Sequence, residues 1–289
     1  MIRIIVDSTC DLPEFLLTQY NIISLPMVVS IDSVEYLDKV EIDHNEVYAA
    51  IEKGRSIKTA QVDLDSATKI FTERCENGED FVYIAFSSNM SCTYSSACEV
   101  LRDFRSRYPD VSMEVIDSKG GCLATGLIAL QAARLADKGF CFDDIVSKTI
   151  EMINTIEHIF TIADIRWLVK GGRLDPVKGT IGAILNVKPI LTVTNGMMDL
   201  IKKARGTKNA VASVIELVVE KTKEFPEQVI GIAHTNNRTG ADDLKKRLSE
   251  RLRGSTFIMC EVGSVLGAHL GIGALGVFFF NKKPSLYLS

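Results

Sequence analysis

Residues 2–6 are apolar apart from Arg3 and run into Asp7-Ser8-Thr9, and Pro13-Glu14 follows. That order predicts a buried strand, a hydroxyl-rich turn and a helix start with polar caps ahead of it. Residues 22–31 are rich in β-formers, and Asp32-Ser33 reads as a turn into a second extended piece. Asp43 with Glu46 matches a capping box and opens a helix to about Lys53. A strand at 81–86 leads through Ser87-Ser88-Asn89-Met90-Ser91 into a helix ending near Arg107. A strand at 113–116 again ends in Asp-Ser, and helices follow at about 120–138 and 142–156. Strands alternating with helices of this length predict βαβ units and a largely parallel sheet.

From about residue 158 the pattern changes. Residues 158–163 read as a strand and 166–174 as a loop containing Gly171-Gly172. Segments 189–194 and 197–203 flank Asn195-Gly196, the favoured two-residue hairpin turn. Helix 207–224, strand 229–233, helix 239–252 and strand 256–262 complete a second α/β unit. The predicted fold class is therefore α/β in two domains. Residues 1–157 form a mostly parallel sheet flanked by helices, and 158–289 a mixed sheet with helices. No internal repeat, low-complexity tract or long linker separates them, so the halves should pack tightly.

Residues 262–281 carry no Asp, Glu, Lys or Arg, a stretch long enough to span a bilayer. Gly263, Gly267 and Gly271 even repeat at the spacing that brings membrane helices together. Five glycines between 263 and 276, with His269 among them, argue instead for a buried loop-and-strand segment.

Composition narrows the function. With 46% hydrophobic and 24% charged residues the chain is an ordinary globular one, and a net charge of −4 supplies no field for nucleic acid. Seven cysteines, none in a C-x-x-C string, suit reduced thiols in the cytoplasm better than a disulfide framework or zinc site. The opening MIRIIVDSTC has one basic residue and only a short apolar run, unlike a signal peptide.

Candidate chemistry is sparse. Gly271-Ile272-Gly273-Ala274-Leu275-Gly276 fits G-x-G-x-x-G, but no βαβ unit or acidic residue follows it before Ser289, so a tight turn is the better reading. The four histidines, His44, His158, His234 and His269, show no metal-ligand spacing. His44 reads as solvated and His158 as structural. His234 falls at a strand's C-terminal end, where α/β ligands gather. His269, in an apolar glycine-flanked segment, is either a satisfied core histidine or a donor to a ligand anion. Hydroxyl clusters recur at Ser8-Thr9, Lys58-Thr59-Ala60-Gln61 and 87–93. They serve as helix caps or as an anion site, and Thr59 and Ser91 are expected in loops at the sheet edge.

Taken together, DSTCDLP (7–13), KTAQ (58–61), SSNMSCTYSSA (87–97), IDS (116–118), LVKGGRL (168–174), ILNVKPIL (184–191) and LGAHLGIGALG (266–276) occur in an order that resembles the DegV family of bacterial fatty-acid-binding proteins. That family includes FakB, the subunit that presents a fatty acid to the kinase FakA for conversion to acyl-phosphate. The resemblance covers essentially the whole chain. It implies two α/β domains with one acyl chain between them and no cofactor or metal. Its implied partners are a long-chain fatty acid and a FakA-like fatty acid kinase, with no nucleic acid and room for transient membrane contact. Thr59 is similar to the threonine of the family's K-T-S-Q-P string and Ser91 to the last serine of its S-S-x-x-S string; both are implied carboxylate ligands. His269 resembles the G-x-H-x-G-P-G histidine near the same head group. Arg173 resembles an arginine at the domain junction or partner contact. Ala60, Val62, Cys92 and Ile272 depart from the family's Ser, Pro, Gly and Pro, and Cys92 adds bulk beside Ser91. Two other readings stay open: an acyl hydrolase pairing Ser91 with His269, and a binder of another small carboxylate or phosphate.

Overall fold

The computed structural model describes residues 2–174 and 187–288; the opening of the ILNVKPIL string, 184–186, lies outside them. The first half runs β1 (Arg3–Asp7), α1 (Glu14–Gln19), β2 (Ile23–Leu25), β3 (Met27–Ile31), β4 (Val34–Leu37), α2 (His44–Glu52), β5 (Ile57–Val62), α3 (Leu64–Glu76), β6 (Phe81–Ala85), α4 (Thr93–Arg107), β7 (Met113–Asp117), α5 (Cys122–Asp137) and α6 (Phe142–Ile153). The second runs β8 (Ile156–Thr161), α7 (Arg166–Lys170), β9 (Val187–Thr194), β10 (Met197–Arg205), α8 (Thr207–Lys221), β11 (Val229–His234), α9 (Arg238–Arg251), β12 (Thr256–Glu261), α10 (Ser264–Leu270) and β13 (Leu275–Phe280).

The architecture is two α/β domains. Strands β2-β1-β6-β7 make a parallel sheet, beside which β4-β3-β5 form a small antiparallel one. The second half builds a mixed sheet, β10-β9-β8-β13-β11-β12, in which only β11 and β12 pair in parallel. The β9–β10 turn is Asn195-Gly196, both residues at positive φ (49° and 80°), as a type I′ hairpin requires. Asp43 accepts from the Glu46 amide while Glu46 reaches back to the Asp43 amide, the reciprocal cap that starts α2.

Helix α5 joins the halves. It is predominantly apolar, and every residue from Cys122 to Ala133 is buried, so it is covered on every side over most of its length. It packs on β1 of the first sheet and on β8, β11 and β13 of the second. One continuous core therefore runs from Ile4 through Leu123 to Phe278. A second cluster, with Ile159, Val277 and Phe279, lies under α8 and α9 on the other face of the mixed sheet.

Three segments differ from the sequence expectation. Thr59 lies inside strand β5, opposite Val29, and not in a loop. The short alternation from Ile57 to Val62 half-buries every second side chain, a weak signal beside the stronger hydroxyl pattern. Residues 166–170 are helical because the Asp164 carboxylate accepts the Arg166 amide at 2.9 Å and Leu168 is buried. Residues 264–270 form α10 despite the glycines. Gly267 lets the helix approach Tyr48: a Cβ there would lie 2.8 Å from the ring, so packing outweighs the propensity cost.

Tyr48 also donates from its hydroxyl to the Val262 carbonyl at 2.6 Å, across the two halves. Tyr48→Phe leaves that buried carbonyl unpaired and is expected to cost about 1–2 kcal/mol, read as a lower urea midpoint at unchanged slope.

Candidate functional site

Three adjoining spaces lie between the halves. The innermost is a narrow apolar cavity walled by Phe86, Phe160, Leu266, Leu270, Phe278 and others. Period-two alternation supplies the wall: His158 and Phe160 on β8, with Gly276 and Phe278 on β13, face inward. Ile159 and Val277 between them face the outer helices.

Phe86, Met90, Met198 and Leu266 are shared with a chamber of about 330 Å³. Thr59, Ser91, Arg173 and His269 all border that chamber. The structure thus brings every predicted site residue to one place, from four separate elements or loops. Thr59, Arg173 and His269 in turn border an outer basin of about 880 Å³, which also carries Arg55, Lys58 and Lys170. Polarity therefore rises from inside to outside in a single direction.

The chamber's polar groups bond one another. Thr59 Oγ1 and His269 Nε2 share a hydrogen bond of 2.8 Å whose direction follows the imidazole tautomer. Ser91 Oγ lies 2.9 Å from Thr93 Oγ1 and accepts the Thr93 amide at 3.2 Å. Thr93 in turn accepts the Val62 amide at 3.1 Å, tying the start of α4 to β5. Arg173 donates to the Met90 and Gly171 carbonyls, spanning the domain junction. The Ser87 hydroxyl and the Asn89 amide donate to the carbonyls of Gly196 and Asn195, each at 2.7 Å, so the β9–β10 turn is pinned to the Ser91 loop.

The hydrolase pairing is not made: Ser91 bonds Thr93, while His269 bonds Thr59. Cys92, the departure beside Ser91, is exposed and adds its bulk away from the chamber. His234 also stands apart; its Nδ1 accepts the Asn237 amide at 3.3 Å at the start of α9. His44 opens α2 and faces Glu261 at 3.6 Å. His158 is buried as expected, yet it forms part of the cavity wall. Sequence reasoning also missed Arg55, Lys58 and Lys170. Lys58 adjoins Thr59, but only the fold brings Lys170 to the same mouth.

Two α/β domains enclosing an apolar cavity, a hydroxyl-and-imidazole neck and a cationic mouth define a class of protein suited to holding a long apolar chain with one polar end. The model of uncharacterised proteins of the DegV family matches residues 1–282. A DegV domain-containing protein of Caldanaerobacter subterraneus subsp. tengcongensis is 34% identical over 281 residues, covering 97% of this chain and 99% of its own. Among solved structures, DegV of Bacillus subtilis, a fatty acid binding protein, is 30% identical with a TM-score of 0.86, covering 96% of this chain and 99% of that one. The Streptococcus pneumoniae fatty acid kinase B3 protein, loaded with linoleic acid, shares the fold at TM-score 0.85 and 21% identity, over 98% of this chain and all of its own. The chain belongs to the DegV family. Solved members of that family bind fatty acids. Among the described residues no helix is long and apolar enough to cross a membrane.

Burial, with the Arg173 guanidinium nearby, pushes His269 down from 6.5 to about 4. Between those values the unfolded chain takes up a proton that the native imidazole refuses. The sign follows: this contribution is complete above about pH 6.5, is lost as pH falls to about 4, and levels off below. His269→Gln should remove it. The parent is expected to lose stability more steeply than the variant between pH 7 and 4.5, by up to about 1 kcal/mol per pH unit, in urea titrations at each pH.

Proposed function

We propose that the chain binds one long-chain fatty acid, with its hydrocarbon in the inner cavity and its carboxylate in the chamber among Thr59, Ser91 and His269, and presents it to a FakA-like fatty acid kinase. The observation that carries this reading is the series of spaces: apolar wall, polar neck, cationic mouth. Each methylene buried contributes about 0.8 kcal/mol. The neck offers hydroxyl, imidazole and guanidinium donors for one anion. Met90 and Met198, between cavity and chamber, are flexible side chains that can move around a passing chain.

The mouth supports the kinase step. Arg55, Lys58, Lys170 and Arg173 gather positive charge where a transferred phosphoryl group would arrive. Phosphoryl transfer itself would come from the partner, since no Gly-Lys-Ser/Thr phosphate loop occurs in the sequence. Seven free thiols suit work in the reducing cytoplasm, where the kinase would meet the carrier.

Native mass spectrometry of the purified protein should show one bound fatty acid, exchangeable for added palmitate or oleate. A hydrogen bond to a charged group contributes about 1.5–3 kcal/mol. Ser91→Ala and Thr59→Val are therefore each expected to weaken binding about tenfold to a hundredfold. A fatty alcohol of equal length, lacking the charge, should be affected less. Acyl-phosphate should form only when a FakA-like kinase and ATP are added. Protein that neither carries nor takes up a fatty acid would overturn the carrier reading, and ATP consumption by the chain alone would overturn the division of labour.

A further inference from the structure

His158 is out of keeping with its surroundings. Among the described residues that wall the inner cavity, only the Cys122 thiol shares its ability to ionise, and every other side chain is apolar or absent. The imidazole is 5% exposed, and neither ring nitrogen has a hydrogen-bond partner among the described residues. The other three histidines differ: His234 bonds the Asn237 amide, His269 bonds Thr59, and His44 faces the Glu261 carboxylate at 3.6 Å. A buried polar side chain without a partner destabilises the fold, whereas phenylalanine or leucine at this inward position of β8 would not.

The ring nevertheless has a shaped seat. It packs edge-on against Phe278 with centroids 5.7 Å apart. Its other flank fits against Gly120, where a Cβ would come within 2.5 Å of Nε2. Burial holds it neutral, lowering its pKa to about 4. A neutral imidazole presents one donor and one acceptor. A carboxylate matches that pair poorly, and His158 does not border the chamber where the head group would sit. A hydroxyl can donate or accept, so it suits whichever ring nitrogen is left facing the cavity in either tautomer.

We infer that His158 is a specificity residue that hydrogen-bonds an oxygen carried on the hydrocarbon chain itself, so that the preferred ligand is a hydroxylated long-chain acid held at two separated points. This deepens the carrier reading and rests on it. The shared chemistry, an oxygen on the imidazole, could also come from a trapped water, and the test separates the two sources. A site built around a hydrogen-bonding group discriminates against a ligand that leaves the group unpaired. A water would satisfy the imidazole whichever acid is bound.

The experiment uses the delipidated full chain and a fluorescent fatty acid as the competed probe. Competitors are hexadecanoic acid and its monohydroxy isomers, with the hydroxyl moved along the chain. One isomer, or a narrow window of them, should bind about tenfold tighter than the unsubstituted acid, equivalent to 1.4 kcal/mol. The remaining isomers should bind more weakly than hexadecanoic acid, because their hydroxyl is buried without a partner. In His158→Phe the preference should reverse, with hexadecanoic acid the tightest binder. Nitrogen NMR of the parent supplies a readout free of any folding defect in the variant: the His158 ring resonances should shift with the preferred isomer and not with hexadecanoic acid. Equal or tighter binding of hexadecanoic acid to the parent, against every isomer, would overturn the inference and leave the carrier reading standing. If no acid of either kind competes, the carrier reading fails and this inference with it.

Discussion

The site depends on how one short segment of the second half is held by the first. Val262 and Gly263 follow β12, and α10 begins directly after them. The Val262 carbonyl accepts from Tyr48, and the Gly263 amide donates to the Asp11 carboxylate at 3.0 Å. At the far end His269 bonds Thr59 on β5. These contacts join residues more than 200 positions apart in the chain. Between them Leu266 and Leu270 close the inner cavity while Val265 and His269 wall the chamber. A shift of α10 by a fraction of its own width would therefore open the apolar cavity and separate the imidazole from the hydroxyls together. The cavity and the polar neck share one mechanical origin.

That geometry also explains the gradient of polarity. The mixed sheet presents an apolar face inward, interrupted at His158, because alternation sends second-cluster residues such as Ile159 and Val277 outward. The parallel sheet delivers hydroxyl-rich turns at the C-terminal ends of its strands, where helix amides and loop side chains collect in α/β folds. Placing one sheet's face against the other's ends puts apolar wall and polar neck in series. Helix α5 fixes the spacing, since it packs on both sheets at once.

Local chemistry was readable wherever a few adjacent residues decide it. The capping box at Asp43 and the Asn195-Gly196 turn are set by their own side chains and φ angles. Most of the long helices were read from the sequence, but α3 (Leu64–Glu76) was not. Thr59 was harder, because β5 is a half-buried strand whose pairing partner, β3, decides its conformation. Helix α10 was invisible locally: its glycines lower helix propensity, and only Tyr48, brought from the other half, makes Gly267 an advantage. The motif strings named Thr59, Ser91, Arg173 and His269, and the fold does gather them. His158 carried no such string. A histidine in a strand looks the same whether it meets a partner or a cavity wall, and that difference exists only in three dimensions.

The neck suggests how affinity and selectivity divide. Thr59 with His269, and Ser91 with Thr93, already form internal hydrogen bonds. On the proposed function, a carboxylate entering the chamber would exchange those bonds for its own, so each new bond would contribute the difference between a charge-assisted and a neutral one. The hydrocarbon faces no such exchange, because the cavity wall offers it almost nothing but carbon. Affinity should thus come mainly from the apolar cavity, while the neck decides which head group is accepted and at what depth it rests. Because the imidazole stays neutral, it adds no fixed charge to the neck. Arg173 is the permanent cation there, bonded to carbonyls on both sides of the junction. An anion that recruits this guanidinium would loosen the tie between Met90 and Gly171. On the proposed function, head-group binding would be coupled to the junction between the halves through this one side chain.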